Sequence, residues 1–234
     1  MPASAAPNLV KNGDFEINNG AGQLLWQPVQ DWNLVITGIS TPNLGVHSLA
    51  TLNSGSLPMW GTGGYANGNG FRSSNNGGFF IINDADPQYR GAFEQVIDGL
   101  IPGNQYELSF EYAYAHEAPA GGNTWQYIYG NFGSDHFQTF TVNLPSHGFD
   151  GGPAPADGNG WYTFTETYTA TSTSQVLRFV ANGGPAGLPP MALVDGVSLK
   201  DVTPTPGPLP VIGVAATLAW SRGLRRRIKR SVMS

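Results

Sequence analysis

The sequence predicts an all-β domain built as a sandwich of two sheets, and three observations support this. Apolar and polar residues alternate with a period of two along much of residues 8–202, and no segment before residue 203 has the period of an amphipathic helix. The chain contains 32 Gly and 18 Pro, which separate these runs by turns. Aromatic residues make up 12% of the chain, too many for a disordered protein and enough to fill a core. Many short strands without helices are typical of a β-sandwich.

The clearest strand lies at residues 106–114. Its apolar side chains, at alternate positions from Tyr106 to Tyr114, share one face, whereas Glu107, Ser109 and Glu111 share the other. This alternation predicts a strand with one buried side. Residues 161–170 also alternate strictly, and weaker or shorter patterns predict further strands at 34–36, 79–82, 93–97, 125–129, 140–144, 176–181 and 193–199. Loops rich in Gly and Asn are expected at 53–76 and 115–123, and a loop rich in Gly and Pro is expected at 182–190.

Four segments in this order resemble a known family. They are NLVKNGDFE (8–16), QVIDGLIPGNQY (95–106), GWYTF (160–164) and LVDGVSL (193–199). They are similar to the galactose-binding-like jelly roll of several carbohydrate-binding modules, over about residues 8–202. The resemblance implies a jelly-roll β-sandwich, but a fold does not by itself fix a function.

Two carboxylates stand out in the apolar first and last strands. The resemblance implies that Glu16 and Asp195 help to hold a structural calcium ion that ties the first strand to the last. Calcium binds six to eight oxygen ligands, including carboxylates and backbone carbonyls. The alternative is that both residues lie at exposed strand ends or accept hydrogen bonds from nearby backbone N–H groups. Both interpretations remain open.

A row of aromatic residues is the candidate ligand-binding site. Trp125, Tyr127 and Tyr129 share one strand face, and Trp60 lies in a segment rich in Gly and Asn. Flat rings beside amide side chains suit sugars, which present C–H groups to a ring and hydroxyls to polar neighbours. These residues therefore predict polysaccharide binding. The alternative is that the rings pack in the core, as most aromatic side chains do.

Catalytic motifs are weak. The four histidines have no metal-ligand spacing, and no nucleophile motif or phosphate-binding loop occurs. Glu107 and Glu111 share a strand face and could form the carboxylate pair of a glycan-cleaving enzyme, although many exposed pairs do the same. We expect a protein that is not an enzyme. A glycan-cleaving jelly-roll enzyme and a matrix protein without a small ligand are the alternatives.

The last thirty residues carry a different pattern. A Pro-rich linker at 203–210 leads into an apolar segment, and a basic cluster follows it. This layout resembles the C-terminal sorting signal of exosortase-processed bacterial surface proteins, the PEP-CTERM type. The positions that match are Pro206, Gly207, Pro208, Arg225, Arg226 and Arg227. Gly207 stands where the signal usually has Glu. A disordered basic tail is the alternative.

The sorting resemblance implies an exported protein. A basic cluster marks the cytoplasmic side of a membrane segment, so the preceding domain would lie outside the cytoplasm. The apolar stretch between Pro210 and Arg222 is shorter than the about 20 residues of a spanning helix, which favours a transient hold in the inner membrane. An enzyme of the exosortase type would then deliver the protein to the cell surface or extracellular matrix.

Charge is divided between the two parts of the chain. Residues 1–201 contain five basic and all 16 acidic residues, a net charge of −11, whereas six basic residues lie in the tail. An acidic domain repels nucleic acid phosphates, so we expect no nucleic-acid partner. The predicted organisation is a residual export-signal or disordered region at 1–7, a β-sandwich at 8–202, a linker at 203–210 and a membrane sorting segment at 211–234, expected to form a short apolar helix with a basic tail.

Overall fold

The predicted all-β class is confirmed. A computed structural model of the chain describes residues 6–19, 29–37, 44–48, 60–61, 64–65, 71–117, 120–146, 148–153 and 160–204, with the backbone alone at 60–61 and 64–65. These residues form strands and no helix. The strands are β1 (Asn33–Ile36), β2 (Leu44–His47), β3 (Trp60–Gly61), β4 (Gly64–Tyr65), β5 (Phe80–Asp84), β6 (Gly91–Asp98), β7 (Gln105–His116), β8 (Thr124–Phe132), β9 (Asp135–Gln138), β10 (Val142–Leu144), β11 (Phe149–Asp150), β12 (Tyr162–Thr169), β13 (Ser174–Gly184) and β14 (Pro190–Asp201).

The strands form two six-stranded antiparallel sheets and a small ribbon of β3 and β4. The first sheet has the order β1-β6-β13-β8-β10, and β9 also pairs with β8. The second has the order β11-β7-β14-β5-β2, and β12 also pairs with β7. Successive strands from β5 to β8, and from β12 to β14, alternate between the sheets. This alternation gives the predicted jelly-roll sandwich.

The core lies between the inner faces of the two sheets. Phe93 and Phe179 of the first sheet stack at 5.0 Å with an interplanar angle of 8°. Phe110 of β7 meets Phe179 edge-on at 5.1 Å, which joins the sheets. Tyr106 and Leu108 are buried in the same cluster. The buried face predicted for residues 106–114 is therefore confirmed.

The outer face of the second sheet is partly covered, which the sequence did not predict. A separate apolar cluster packs there, with Phe71 and Trp161 over Ala113 and Ala115 of β7. Trp161 Nε1 donates a hydrogen bond to the Arg72 carbonyl at 2.7 Å, which helps to hold this apolar layer against the sheet. Because of this layer, the end of β7 is buried on both faces rather than one.

The first described segment is joined to the last strand. Leu9 N donates a hydrogen bond to the Leu199 carbonyl at 2.9 Å, and Val197 N donates to the Gly13 carbonyl at 2.9 Å. The predicted first strand is therefore an irregular segment bonded to β14. The chain divides into two units, Met1–Thr203 and Pro204–Ser234, and only Pro204 of the second is described.

None of the described residues belongs to a helix long and apolar enough to cross a membrane.

Candidate functional site

The three predicted aromatic residues of β8 form a row on the outer face of the first sheet. Ile128 and Phe132 point into the core, and the alternation of the strand turns Trp125, Tyr127 and Tyr129 outward. The rings of Trp125 and Tyr127 stack at 6.3 Å with an interplanar angle of 23°, and Tyr127 and Tyr129 are 6.1 Å apart. Trp125 is 40% exposed. None of the three belongs to a core cluster, contrary to the packing alternative.

A glycine on the neighbouring strand makes room for Trp125. Gly184 pairs with Trp125 across β13 and β8. A Cβ atom at Gly184 would lie 3.2–3.3 Å from three atoms of the indole. The indole therefore lies close over the β13 backbone, which holds the ring without burying it.

A hydrogen-bonded chain runs from the aromatic row towards β6. Asn182 Nδ2 donates to Tyr127 Oη at 2.7 Å, and Arg90 Nη1 donates to Asn182 Oδ1. Sequence reasoning missed both Asn182, which bonds to Tyr127, and Arg90, which bonds to Asn182. The predicted loop at 182–190 was wrong at its start, because β13 continues to Gly184 and places Asn182 on the outer face. The alternation of Arg178, Val180 and Asn182 against the buried Phe179 was a signal that could have found Asn182.

Polar side chains also lie on the other side of the row. Asn143 of β10 pairs with Trp125, and Gln138 of β9 pairs with Tyr129. Directly paired residues place their side chains on the same face of a sheet, so both amides flank the rings. Both residues are exposed. The row thus has hydrogen-bonding groups along both sides.

The predicted calcium ligands lie near a third carboxylate around the loop of residues 74–79. Glu16 Oε1 accepts a hydrogen bond from Phe79 N at 2.8 Å. Asp195 Oδ2 accepts from Ser74 Oγ, and its Oδ1 accepts from Gly196 N at 2.6 Å. Both carboxylates therefore make the bonds to nearby N–H groups that the alternative interpretation requires.

Glu111, which the sequence did not assign to this place, bonds to the same loop. Its Oε1 accepts from Asn75 N at 3.0 Å and from Asn75 Nδ2 at 2.7 Å, and its Oε2 accepts from Asn76 N at 2.9 Å. The loop thus joins β7 and β14 through carboxylates on each strand. No sequence pattern shows this, since Asn75 and Glu111 are 36 positions apart.

The electrostatics of this carboxylate group suit a cation. Burial raises the pKa of Asp195 to about 8; hydrogen bonds from Ser74 and Gly196 lower it, and the charges of Glu111 and Glu16 raise it further. A cation would favour the charged form of Asp195. However, no three His, Asp or Glu side chains of the described residues are arranged to hold a metal. A calcium ion here would need backbone oxygens besides Glu16 and Asp195.

Of the remaining candidates, only Glu107 and Glu111 are described with their side chains, and they lie on the second sheet rather than beside the aromatic row. Trp60 pairs with Tyr65 in the β3–β4 ribbon, and its side chain lies outside the described part of the chain. Glu107 and Glu111 are four residues apart on one strand, about 13 Å along its axis, and Glu111 is occupied by the 74–79 loop. The sorting residues lie outside the described residues; they are Pro206, Gly207, Pro208, Arg225, Arg226 and Arg227.

Known proteins offer distant similarities in structure. No protein family matches the sequence, and no curated protein is similar to it. Among solved structures, TmCBM61 in complex with beta-1,4-galactotriose is 13% identical, with a TM-score of 0.41 over 84% of this chain and 99% of that one. The CBM22-2 xylan-binding domain from Paenibacillus barcinonensis Xyn10C is 15% identical, with a TM-score of 0.37 over 81% and 98%.

A third similarity is to a much longer protein. The enzymatically active domain of tailspike protein 4 from bacteriophage CBA120 is 12% identical, with a TM-score of 0.42 over 83% of this chain. This chain spans only 21% of that domain. At such identities and TM-scores, the fold assignment rests on the strand order and pairing described above.

Proposed function

We propose that residues 8–202 bind polysaccharide without cleaving it, through the outer face of the first sheet. The observation that carries the proposal is the row of Trp125, Tyr127 and Tyr129, which stands outside the core with Trp125 40% exposed. A core role would require these rings between the sheets, where Phe110 and Phe179 lie instead.

The surroundings of the row support sugar binding. Ring faces can pack against the C–H groups of a sugar, while the amides of Asn143, Gln138 and Asn182 can exchange hydrogen bonds with its hydroxyls. Stacked rings along one strand present an elongated surface, which suits a chain of sugars better than a single one. The separation of Glu107 and Glu111, about 13 Å along β7, and the hydrogen bonds of Glu111 to the 74–79 loop support binding without cleavage.

The test is the substitution Trp125→Ala in the full chain. We expect affinity electrophoresis in polysaccharide gels, guided by a glycan array, to show at least about tenfold weaker binding. The scale is taken from nucleic-acid bases stacked on aromatic side chains, where each contact contributes roughly 1–3 kcal/mol. The melting temperature should stay close to the original. Phe140→Ala is the matched control, since Phe140 is 50% exposed but its ring packs against Tyr112 and Tyr162 of the second sheet.

Two results would overturn the proposal. Trp125→Ala could unfold the protein with a loss of about 3–5 kcal/mol, as large truncations in cores do, and the ring would then be structural. Alternatively, the original protein could bind no glycan at all, which would favour the matrix protein without a small ligand.

Delivery to the surface is the second part of the proposal. The linker, apolar segment and basic cluster of residues 203–234 would hold the protein briefly in the inner membrane until an exosortase-type enzyme processes it. The support is the sequence layout, with Pro206 and Pro208 before the apolar segment and Arg225–Arg227 after it. Calcium at Glu16 and Asp195 is proposed only as a structural ion.

A further inference from the structure

Arg90 carries a positive charge that no described carboxylate neutralises. Its Nη1 donates to Asn182, and this is the only hydrogen bond of its side chain with described residues. Its Nε is buried and has no partner. Partial burial weakens the solvation of a cation, so a nearby anion is attracted more strongly than it would be at an exposed arginine.

The other arginine on this face is different. Arg178 forms a salt bridge with Glu94 at 2.5 Å, and its Nε donates to the same carboxylate oxygen at 2.6 Å. Arg178 and Glu94 are direct neighbours in the β13–β6 register. The charge of Arg178 is thus neutralised within the sheet, whereas that of Arg90 is left for another partner.

Arg90 is placed to reach a ligand on the aromatic row. Its guanidinium is joined to Tyr127 through one residue, Asn182, which bonds to both. A sugar packed on Tyr127 would therefore lie within one side chain of an unpaired cation. A guanidinium binds a carboxylate by charge-assisted hydrogen bonds.

Resting on the proposed function, we infer that the ligand is a mainly neutral polysaccharide carrying scattered uronic acid residues, and that Arg90 binds the carboxylate of one of them. Of the two arginines beside the row, only Arg90 has no described carboxylate partner, which suits a ligand with isolated charges. A continuous polyanion would be opposed by the net charge of −11 on residues 1–201. At physiological ionic strength that repulsion is screened beyond about 8 Å, while the short contact with Arg90 persists.

The experiment uses polysaccharides that differ only in the carboxyl group. Glucuronoxylan and gum arabic are each tested in native form and after reduction of their carboxyl groups to primary alcohols. Reduction leaves linkages, neutral sugars and any sulfate esters intact. A loss of affinity on reduction therefore shows that the protein recognises a carboxylate and not a sulfate. Affinities of the full chain are measured by calorimetry at 150 mM salt, together with the melting temperature of each variant.

We expect the full chain to bind at least one native polysaccharide about tenfold or more tightly than its reduced form, since hydrogen bonds to charged groups are among the stronger ones. Arg90→Gln should bring this ratio close to one, and Arg90→Lys should leave it intermediate. Lys200→Gln removes a positive charge from the other sheet and should keep the original ratio.

The outcomes separate this inference from the proposed function. Equal binding of native and reduced forms, or binding to neutral glycans alone, overturns the role of Arg90 but leaves polysaccharide binding standing. An unchanged ratio in Arg90→Gln with a normal melting temperature overturns it as well. Absence of binding to every glycan overturns both. If Arg90→Gln does not fold, the role of Arg90 is tested by the ratio of native to reduced affinity in the original protein and in Arg90→Lys. An equal ratio in these two proteins overturns the inference.

Discussion

Gly184 sets the position of the Trp125 ring. With a side chain at residue 184, the indole would have to move, because a Cβ would approach its Nε1 to 3.2 Å. We expect Gly184→Ala to weaken glycan binding several-fold with little change in melting temperature, since the ring is on the surface. Affinity electrophoresis beside Trp125→Ala would check this. Unchanged binding would show that the ring position does not matter to the ligand.

His47 makes stability depend on pH. Both of its ring nitrogens are buried without partners, and burial lowers its pKa from 6.5 to about 4. Between pH 6.5 and 4, His47 therefore binds a proton in the unfolded chain but not in the folded chain. The contribution of His47 to stability consequently falls as the pH falls through this window.

The substitution His47→Leu isolates this effect. Relative to His47→Leu, the original protein should lose about 3 kcal/mol of unfolding free energy between pH 6.5 and 4, the equivalent of its pKa shift. Denaturant unfolding at several pH values measures it. A difference between the two proteins that does not vary with pH would contradict the assignment.

Asp195 acts in the opposite direction. Its pKa is raised from 3.8 to about 8, so the folded state holds a proton that the unfolded state releases, and stability falls as the pH rises through this range. In the presence of a chelator, the melting temperature should therefore rise as the pH is lowered from 8 to 6.5. This range lies above the one in which His47 affects stability. Asp195→Asn should remove that slope.

Calcium would reverse the behaviour of Asp195. An ion bound only by the folded state adds about 2.7 kcal/mol at a hundredfold excess over its dissociation constant. We expect calcium to raise the melting temperature most at high pH, where Asp195 is charged, and the double substitution Glu16→Gln, Asp195→Asn to abolish the effect. A melting curve indifferent to both calcium and chelator would rule out the proposed ion.

At the scale of elements, the bulge in β14 positions Asp195. The pairing of β14 with β7 shifts between Asp195 and Ser198, and Gly196 at the shift has a φ of +58°. Gly196→Ala should cost about 1–2 kcal/mol, because a side chain disfavours this left-handed conformation. Gly196→Asn should cost less, since Asn tolerates it. Equal losses in thermal unfolding would mean that another contact is responsible.

The elements that sequence patterns predicted with the best bounds are those in which apolar and polar residues alternate. Residues 106–114 and 161–170 alternate strictly, and both are strands at nearly the predicted bounds. Strands β2, β3, β4, β9 and β11 were missed because two to four residues are too few to establish a period, so the predicted loop at 53–76 was wrong where β3 and β4 pair. The cover of Phe71 and Trp161 was also missed, since packing over an outer face follows from tertiary contacts.

The candidate site could be predicted only in part, because it also depends on contacts between segments that are distant in sequence. The alternation of β8 placed Trp125, Tyr127 and Tyr129 together on one face. Asn182 lies on β13, and Arg90, 92 positions away, directly precedes β6, which pairs with β13. Sequence alone gives no register between such distant strands, so the contact of Arg90 with Asn182 beside Tyr127 could not be foreseen.

At the scale of the whole molecule, the tail should govern location. Fusion of residues 203–234 to an exported reporter should hold the reporter in the inner membrane of cells that lack the sorting enzyme, and release it in cells that contain it. Replacing Arg225, Arg226 and Arg227 with Gln should weaken the hold, because these charges mark the cytoplasmic side. Direct secretion of the reporter in both strains would contradict the proposed sorting.

The antiparallel contact between the first segment and β14 determines how the domain would respond to mechanical tension. Leu9 bonds to Leu199 and Gly13 bonds to Val197, so the chain enters and leaves this contact at the same end. A force pulling residues 8 and 202 apart would load these hydrogen bonds one after another, as in unzipping, rather than all at once in shear. The bonds of the segment up to Gly13 would be loaded first, including those of Lys11 with Gln95, and the buried ring of Phe15 would be the next to resist.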